Sequence, residues 1–173
     1  ADDLHPYLDA DFDVVVVEPS DIAMFQREYG KLVDDDVHER IRENSYEVME
    51  YVYGLLDNGS DCDALADTGG SVAYHSHCQQ RTLGLAVYTE AVLSDLGFDV
   101  VTSDVECCGM AGSFGYKSEY YELSVDVGSD LEAEFADERD RTLVASGTSC
   151  TEQMETLFGR DVTHPVELLD PSR

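Results

Sequence analysis

The stretch Ser71-Val72-Ala73-Tyr74-His75-Ser76-His77-Cys78 joins a short apolar run to a turn that carries two histidines and a cysteine. Its β-branched and aromatic start predicts a buried strand, and a helical pattern follows from Arg81 to Leu96. Gly97 is placed to cap the end of that helix. The same order of strand, turn and helix recurs along the chain, which predicts an α/β fold.

Further β-branched runs predict strands at 14–17, 98–101, 143–145 and 161–163. Other segments predict helices at 22–29, 37–56, 118–138 and 150–158, and a polar loop over residues 57–70. Because strands alternate with helices, we expect a parallel sheet of about four to five strands with helices on both faces. The 173 residues have the size of one domain, covering 1–173.

Four of the five cysteines come shortly after a predicted strand: Cys78, Cys107, Cys108 and Cys150. The carboxyl ends of parallel strands meet at one edge of the sheet, where ligands bind in folds of this kind. We therefore expect these four thiols to converge as metal ligands, and burial as small core residues is the alternative. Cys62 lies in the predicted polar loop and is outside this group.

Thiolates are soft ligands that favour an iron–sulfur cluster or zinc. Gly109 and Gly112 follow the double cysteine, and we expect their backbone to approach the cofactor closely and to stabilise the negative sulfurs. His75 and His77 alternate along an extended stretch and should point to opposite sides. Each is either a ligand, a proton donor or a residue that only hydrogen-bonds at the strand end.

Acidic residues number 38 against 10 lysines and arginines, which gives a net charge of −28. Such a surface repels phosphates, which argues against nucleic-acid binding. The acidic residues are spread along the whole chain, so we interpret them as an adaptation to high salt. No apolar run approaches the roughly 20 residues of a spanning helix, and the acidic start is unlike a signal peptide. These features predict a cytoplasmic protein whose thiols are not paired in disulfides.

Four motifs, at 74–78, 107–116, 146–150 and 164–169, resemble the cysteine-rich CCG domain family, and the likeness extends over most of the chain from about Asp13. That family includes a subunit of heterodisulfide reductase and the iron–sulfur subunits of glycolate oxidase and anaerobic glycerol-3-phosphate dehydrogenase. It also includes the C-terminal part of FAD-linked D-2-hydroxyacid dehydrogenases. The double-cysteine segment is the most specific of the four motifs.

The resemblance implies an electron-transfer domain that holds an iron–sulfur cluster, with 4Fe-4S as the expected type and zinc as the alternative metal. It also implies that FAD lies elsewhere in the full enzyme, which would oxidise a 2-hydroxyacid or glycerol 3-phosphate. The expected partners are a flavin dehydrogenase domain or subunit and an acceptor such as a quinone. These partners would place the protein at the inner membrane face, and the isolated domain is not expected to turn over substrate.

The sequence departs from the family pattern at two positions. The fuller second motif ends in Cys-x-x-Cys, whereas Gly147 occupies the first of those positions here. Asp21 stands where relatives often have cysteine, in a segment that echoes residues 145–150. The upstream partner of that first motif would precede Ala1, so the chain resembles the C-terminal part of a longer protein. A structural zinc–thiolate module and a thiol–disulfide reductase centre are the other functions considered.

Overall fold

The computed structural model describes residues 2–60, 65 and 69–171. Its strands are β1 Val14–Val16, β2 Ser45–Glu47, β3 Gly70–His75, β4 Phe98–Thr102, β5 Thr142–Ala145 and β6 Val162–Thr163. Its α-helices are α1 His5–Leu8, α2 Pro19–Ala23, α3 Asp35–Glu43, α4 Val48–Asp57, α5 Cys78–Leu83, α6 Ala86–Asp95, α7 Tyr121–Glu134 and α8 Thr148–Phe158. A π-helical segment Met24–Glu28 and two 3-10 segments, Tyr29–Lys31 and Pro165–Leu169, complete the regular structure.

The strands form two parallel sheets, which confirms the predicted α/β class. The larger sheet has the order β4-β3-β5-β6, and β1 pairs with β2 in a separate two-stranded sheet. From β3 the chain moves outward to β4, whereas from β5 it moves to the opposite edge at β6. The crevice between the carboxyl ends of β3 and β5 is therefore the topological switch point, where ligands bind in open α/β sheets.

Helices cover both faces of the larger sheet, as predicted. One face packs against α7 and α8 in an apolar cluster that includes Ala73, Leu143, Leu131 and Met154. The other face carries Val72 and Val144, and it packs against α4 and α6. Successive residues of β3 and β5 thus face opposite layers, as the two-residue period of a strand requires.

The predicted helix at 37–56 is wrong, because β2 interrupts it between α3 and α4. The Asn44 side chain donates to the carbonyl of Arg40 at 2.7 Å, and this bond closes the end of α3. Glu47 then caps α4 with a reciprocal capping box, in which the Glu47 carboxylate accepts from backbone N–H groups and Glu50 bonds back. The apolar stripe continues through both helices, so periodicity alone conceals the three-residue strand between them.

The predicted helix at 81–96 is also wrong as one piece. Gly84 adopts a left-handed φ of 74° and ends α5, and α6 starts two residues later. Gly97 follows α6 with a φ of 82°, as its predicted capping role requires. The predicted loop around Cys62 lies outside the described residues. No helix in the described ranges combines the length and apolar character needed to cross a bilayer.

Candidate metal centre

Three soft or borderline ligands meet at the switch point between β3 and β5. The ligand atoms of His75, Cys108 and Cys150 all lie within 4.8 Å of one another. His75 is the last residue of β3, Cys150 lies in the first turn of α8, and Cys108 lies on the loop after β4. All three side chains are buried, with exposed fractions of 0%, 4% and 2%. The fold therefore encloses a small donor group that solvent does not reach.

His75 is the member of this group that packing does not explain. Neither of its ring nitrogens meets a hydrogen-bonding partner of good geometry among the described residues, although both are buried. An unsatisfied buried polar atom costs about 1–3 kcal/mol, so native proteins rarely leave two in one ring. Imidazole and thiolate are the donors that zinc and iron sites use. The donor set and the unpartnered imidazole together fit a metal ion or cluster.

The Cys108 and Cys150 thiols shift each other's pKa in opposite directions. A hydrogen bond from the Cys150 thiol lowers the pKa of Cys108 far below its usual range, and the neighbouring His75 ring lowers it further. The same hydrogen bond raises the pKa of Cys150, and burial raises it as well. This environment favours the thiolate form of Cys108, which is the form that binds metals.

Cys78 and Cys107 are half-buried and lie outside the 4.8 Å group. They line an open cavity of about 520 Å³ together with Arg81. Burial raises the pKa of Cys78, and the nearby Cys107 and Cys108 raise it further, so the outer and inner thiols interact electrostatically. That Cys78 and Cys107 join Cys108 and Cys150 as ligands of one site stays a prediction.

The loop that carries the double cysteine packs against α7 without room for side chains. Gly109 has a φ of 96°, and a Cβ there would lie 2.1 Å from the carbonyl oxygen of Ser124. A Cβ on Gly128 would lie 2.8 Å from the carbonyl oxygen of Cys108. The Ser124 hydroxyl donates to the Gly109 carbonyl at 2.9 Å, and the Gln153 amide donates to the Ser124 carbonyl at 3.0 Å. These contacts fix the backbone that positions Cys108.

The two glycines predicted to contact the cofactor have different surroundings. The backbone N–H of Gly109 donates to the Cys107 sulfur at 3.4 Å, which stabilises negative charge on that sulfur. Gly112 lines a second cavity, of about 620 Å³, together with His77, Cys78 and Tyr116. A direct contact between either glycine and a cofactor stays a prediction.

Glu18 ties the small sheet to the metal centre. One carboxylate oxygen accepts from the backbone N–H of Thr148 at 2.9 Å, at the start of α8. The other accepts from the Ser20 hydroxyl at 3.0 Å, at the start of α2. Because carboxylates stabilise helix N-termini, one side chain anchors both helices. It thereby positions Cys150, which lies in the first turn of α8.

His77 and Asp21 do not join the buried donor group. The His77 ring accepts from the backbone N–H of Gln79 at 3.2 Å and caps α5. It also fills the space beside Gly147, where a Cβ would lie 2.4 Å from the ring. Asp21 is exposed as the third residue of α2, just as Cys150 is the third residue of α8. Asp21 and Cys150 thus occupy the same position in their helices, as the similarity of the two segments predicts, but Asp21 supplies no thiol.

Sequence reasoning left the role of His75 open and missed the residues that support the loop. Gly128 gave a usable signal, because a glycine inside a predicted helix often marks a close packing contact. No sequence signal pointed to Glu18, Ser124 or Gln153, because their contacts join segments more than 14 residues apart in sequence.

Known proteins similar to this chain include dehydrogenases and a dehydrogenase subunit. One subunit of the anaerobic glycerol-3-phosphate dehydrogenase of Escherichia coli is 27% identical over 143 residues, which cover 82% of this chain and 36% of that protein. The D-2-hydroxyglutarate dehydrogenase of Pseudomonas putida is 31% identical over 102 residues, which cover 58% of this chain and 10% of that enzyme. The enzyme of the same name from Escherichia coli is 28% identical over 160 residues, with 90% and 15% covered.

The chain therefore spans about a third of the length of the glycerol-3-phosphate dehydrogenase subunit and a smaller share of the D-2-hydroxyglutarate dehydrogenases. No known family model matches it. Membership of the CCG domain family accordingly stays a prediction from the motifs.

Proposed function

We propose that this chain is an iron–sulfur electron-transfer domain of a flavin-dependent dehydrogenase that oxidises a 2-hydroxyacid or glycerol 3-phosphate. The observation that carries the proposal is the buried group of His75, Cys108 and Cys150 at the switch point of the sheet. The similarity to a glycerol-3-phosphate dehydrogenase subunit and to D-2-hydroxyglutarate dehydrogenases supports the choice of reaction class. We expect FAD and the substrate pocket in other parts of the enzyme, and a quinone or comparable acceptor downstream.

In this proposal Cys78, Cys107, Cys108 and Cys150 hold the cluster, of the 4Fe-4S type, and His75 is either a further ligand or a hydrogen-bond donor to it. A bound iron–sulfur cluster supplies reversible one-electron transfer. The protein residues exclude water around Cys108 and Cys150, lower the pKa of Cys108, and leave Cys78 and Cys107 beside an open cavity. That cavity is where we expect a redox partner to approach.

A zinc–thiolate centre is the second candidate, favoured by the tight group of two thiols and one imidazole. A thiol–disulfide centre is the third, favoured by the closeness of the Cys108 and Cys150 sulfurs, which lie within 4.8 Å of each other. A zinc centre would shape an interface, whereas a thiol–disulfide centre would carry two electrons and two protons in its dithiol form and release them on forming the disulfide. In both cases no iron would be bound.

Anaerobic purification in molar salt, followed by metal and sulfide analysis, separates the three. We expect iron, acid-labile sulfide and a visible absorbance that bleaches on reduction. Zinc without visible absorbance would replace the proposal with the structural centre. A metal-free protein with a reversible Cys108–Cys150 disulfide would replace it with the thiol–disulfide centre.

A further inference from the structure

A third cavity, of about 380 Å³, opens between β2, α4 and α6. None of its described lining residues borders the two cavities at the metal centre. Four tyrosines line it, Tyr46, Tyr51, Tyr53 and Tyr88, and two carboxylates accompany them, Asp13 and Glu50. The volume lies in the range of small-molecule pockets, which runs from about 300 to 1,000 Å³.

The tyrosines form two ring pairs. The ring centroids of Tyr46 and Tyr51 are 5.7 Å apart with planes inclined by 54°, and those of Tyr53 and Tyr88 are 5.1 Å apart with planes inclined by 45°. Such tilted pairs expose parts of their faces, which carry the negative side of the ring quadrupole. A cation within about 6 Å of such a face is attracted to it.

The charged groups around the cavity also favour a cation. No lysine, arginine or histidine is among its described lining residues. The Asp13 carboxylate raises the pKa of the Tyr51 phenol, and burial followed by Asp13 and Glu50 raises that of Tyr46. The cavity is thus electronegative as well as aromatic. Asp13 and Glu50 belong to no group of three close metal-binding side chains in the described ranges, so the arrangement does not suit a metal ion.

We propose that this cavity binds a small methylated ammonium compound, held between the two tyrosine pairs and the carboxylates of Asp13 and Glu50. A methylated ammonium spreads its charge over an apolar shell, so it loses less hydration than a metal ion and fits ring faces better. The two carboxylates select against compounds that carry their own anionic end. Choline should therefore bind better than glycine betaine, its carboxylate analogue.

The test is calorimetric titration of the whole protein in molar salt, with choline chloride replacing sodium chloride so that ionic strength stays constant. We expect saturable choline binding, at least about tenfold tighter than that of the neutral isostere 3,3-dimethyl-1-butanol, since each cation–π contact contributes about 0.5–2 kcal/mol. Glycine betaine should bind more weakly than choline. Absence of saturable choline binding, or equal binding of the neutral isostere, would overturn the proposal.

Matched variants locate the binding site. Asp13→Asn and Tyr88→Leu should each weaken choline binding, by roughly three- to tenfold. Asp11→Asn and Tyr121→Leu make the same chemical changes at exposed positions outside the cavity and should leave binding unchanged. If Tyr88→Leu fails to fold, the Asp13→Asn and Asp11→Asn pair decides alone. Equal affinities in that pair would place the ligand elsewhere and overturn the assignment.

Discussion

At the residue scale, the candidate metal centre contains one side chain, His75, whose burial core packing does not explain. His75 is fully buried at the end of β3, and its ring faces the sulfurs of Cys108 and Cys150. Burial of cysteines alone is ordinary, because a thiol behaves as a small apolar group. Burial of an imidazole whose nitrogens make no hydrogen bond of good geometry is unusual, and it is this residue that favours a metal centre over simple core packing.

Replacing the inner thiols should remove the metal. We expect Cys108→Ser and Cys150→Ser to lose most bound metal after anaerobic reconstitution, because a serine hydroxyl is a harder and less acidic ligand than a thiolate. Cys107→Ser should lower the metal content too, if the outer thiols take part as predicted. Elemental analysis per chain gives the readout, with Cys62→Ser as the control for the same substitution. Full metal loading in Cys108→Ser would rule out the assignment.

Glu47 is a buried carboxyl that titrates near neutral pH. Burial raises its pKa from 4.5 to about 7, even though backbone N–H groups of Met49 and Glu50 donate to it. Between pH 4.5 and about pH 7 the Glu47 carboxyl keeps its proton in the folded state, whereas it has lost that proton in the unfolded state. The protonated Glu47 carboxyl therefore makes its full contribution to the unfolding free energy below pH 4.5, and this contribution declines as the pH rises toward about 7.

Glu47→Gln should remove this pH dependence. The amide oxygen keeps the helix cap, so we expect the unfolding free energy of the variant, relative to wild type, to rise by about 3 kcal/mol between the two ends of that window. Denaturant unfolding at a series of pH values measures it. The exposed Glu119→Gln variant serves as the control, and parallel pH profiles for wild type and Glu47→Gln would contradict the prediction.

At the element scale, substitution by alanine should change the unfolding free energy in opposite directions at two helical glycines. A Cβ on Gly128 in α7 would meet the Cys108 carbonyl, Leu157 and Gln153 within 3.0 Å, whereas a Cβ on Gly54 in α4 would meet nothing within 4 Å. Gly128→Ala should lower the unfolding free energy by about 1–3 kcal/mol through overpacking. Gly54→Ala should raise it by up to about 1 kcal/mol through helix propensity. Thermal or urea unfolding of both variants tests the pair, and equal signs would contradict it.

These elements also show what the sequence could predict. Strands β3, β4 and β5 were predicted because their apolar runs are short, β-branched and bounded by turns. Strand β2 was missed because the apolar stripe of the predicted helix runs across it, and Tyr46 is its only residue with a strand preference. The location of the site at the carboxyl edge of the sheet was predictable from the positions of the cysteines, whereas the strand order that makes it a switch point was not. The inner grouping with His75 was not, because it depends on how the loop packs against α7.

At the scale of the whole molecule, the net charge of −28 should make stability depend on salt. Acidic residues outnumber lysines and arginines 38 to 10, and repulsion between carboxylates acts over about 10 Å at 0.1 M salt and about 3 Å at 1 M. We expect the thermal midpoint to rise clearly between these concentrations. Scanning calorimetry across a sodium chloride series measures it, and a flat or falling midpoint would contradict the adaptation to high salt.

The neighbouring residues Cys107 and Cys108 differ in how easily reagents in solution can reach their thiols. Cys107 opens on the same cavity as Cys78, while Cys108 is only 4% exposed beside Cys150. Alkylating reagents and dissolved oxidants should therefore modify the first two thiols well before the second two. Timed alkylation of the native protein, read by mass spectrometry, should show this order, and denaturant should abolish it. Oxidation by air would then begin at Cys78 and Cys107 and reach Cys108 and Cys150 last.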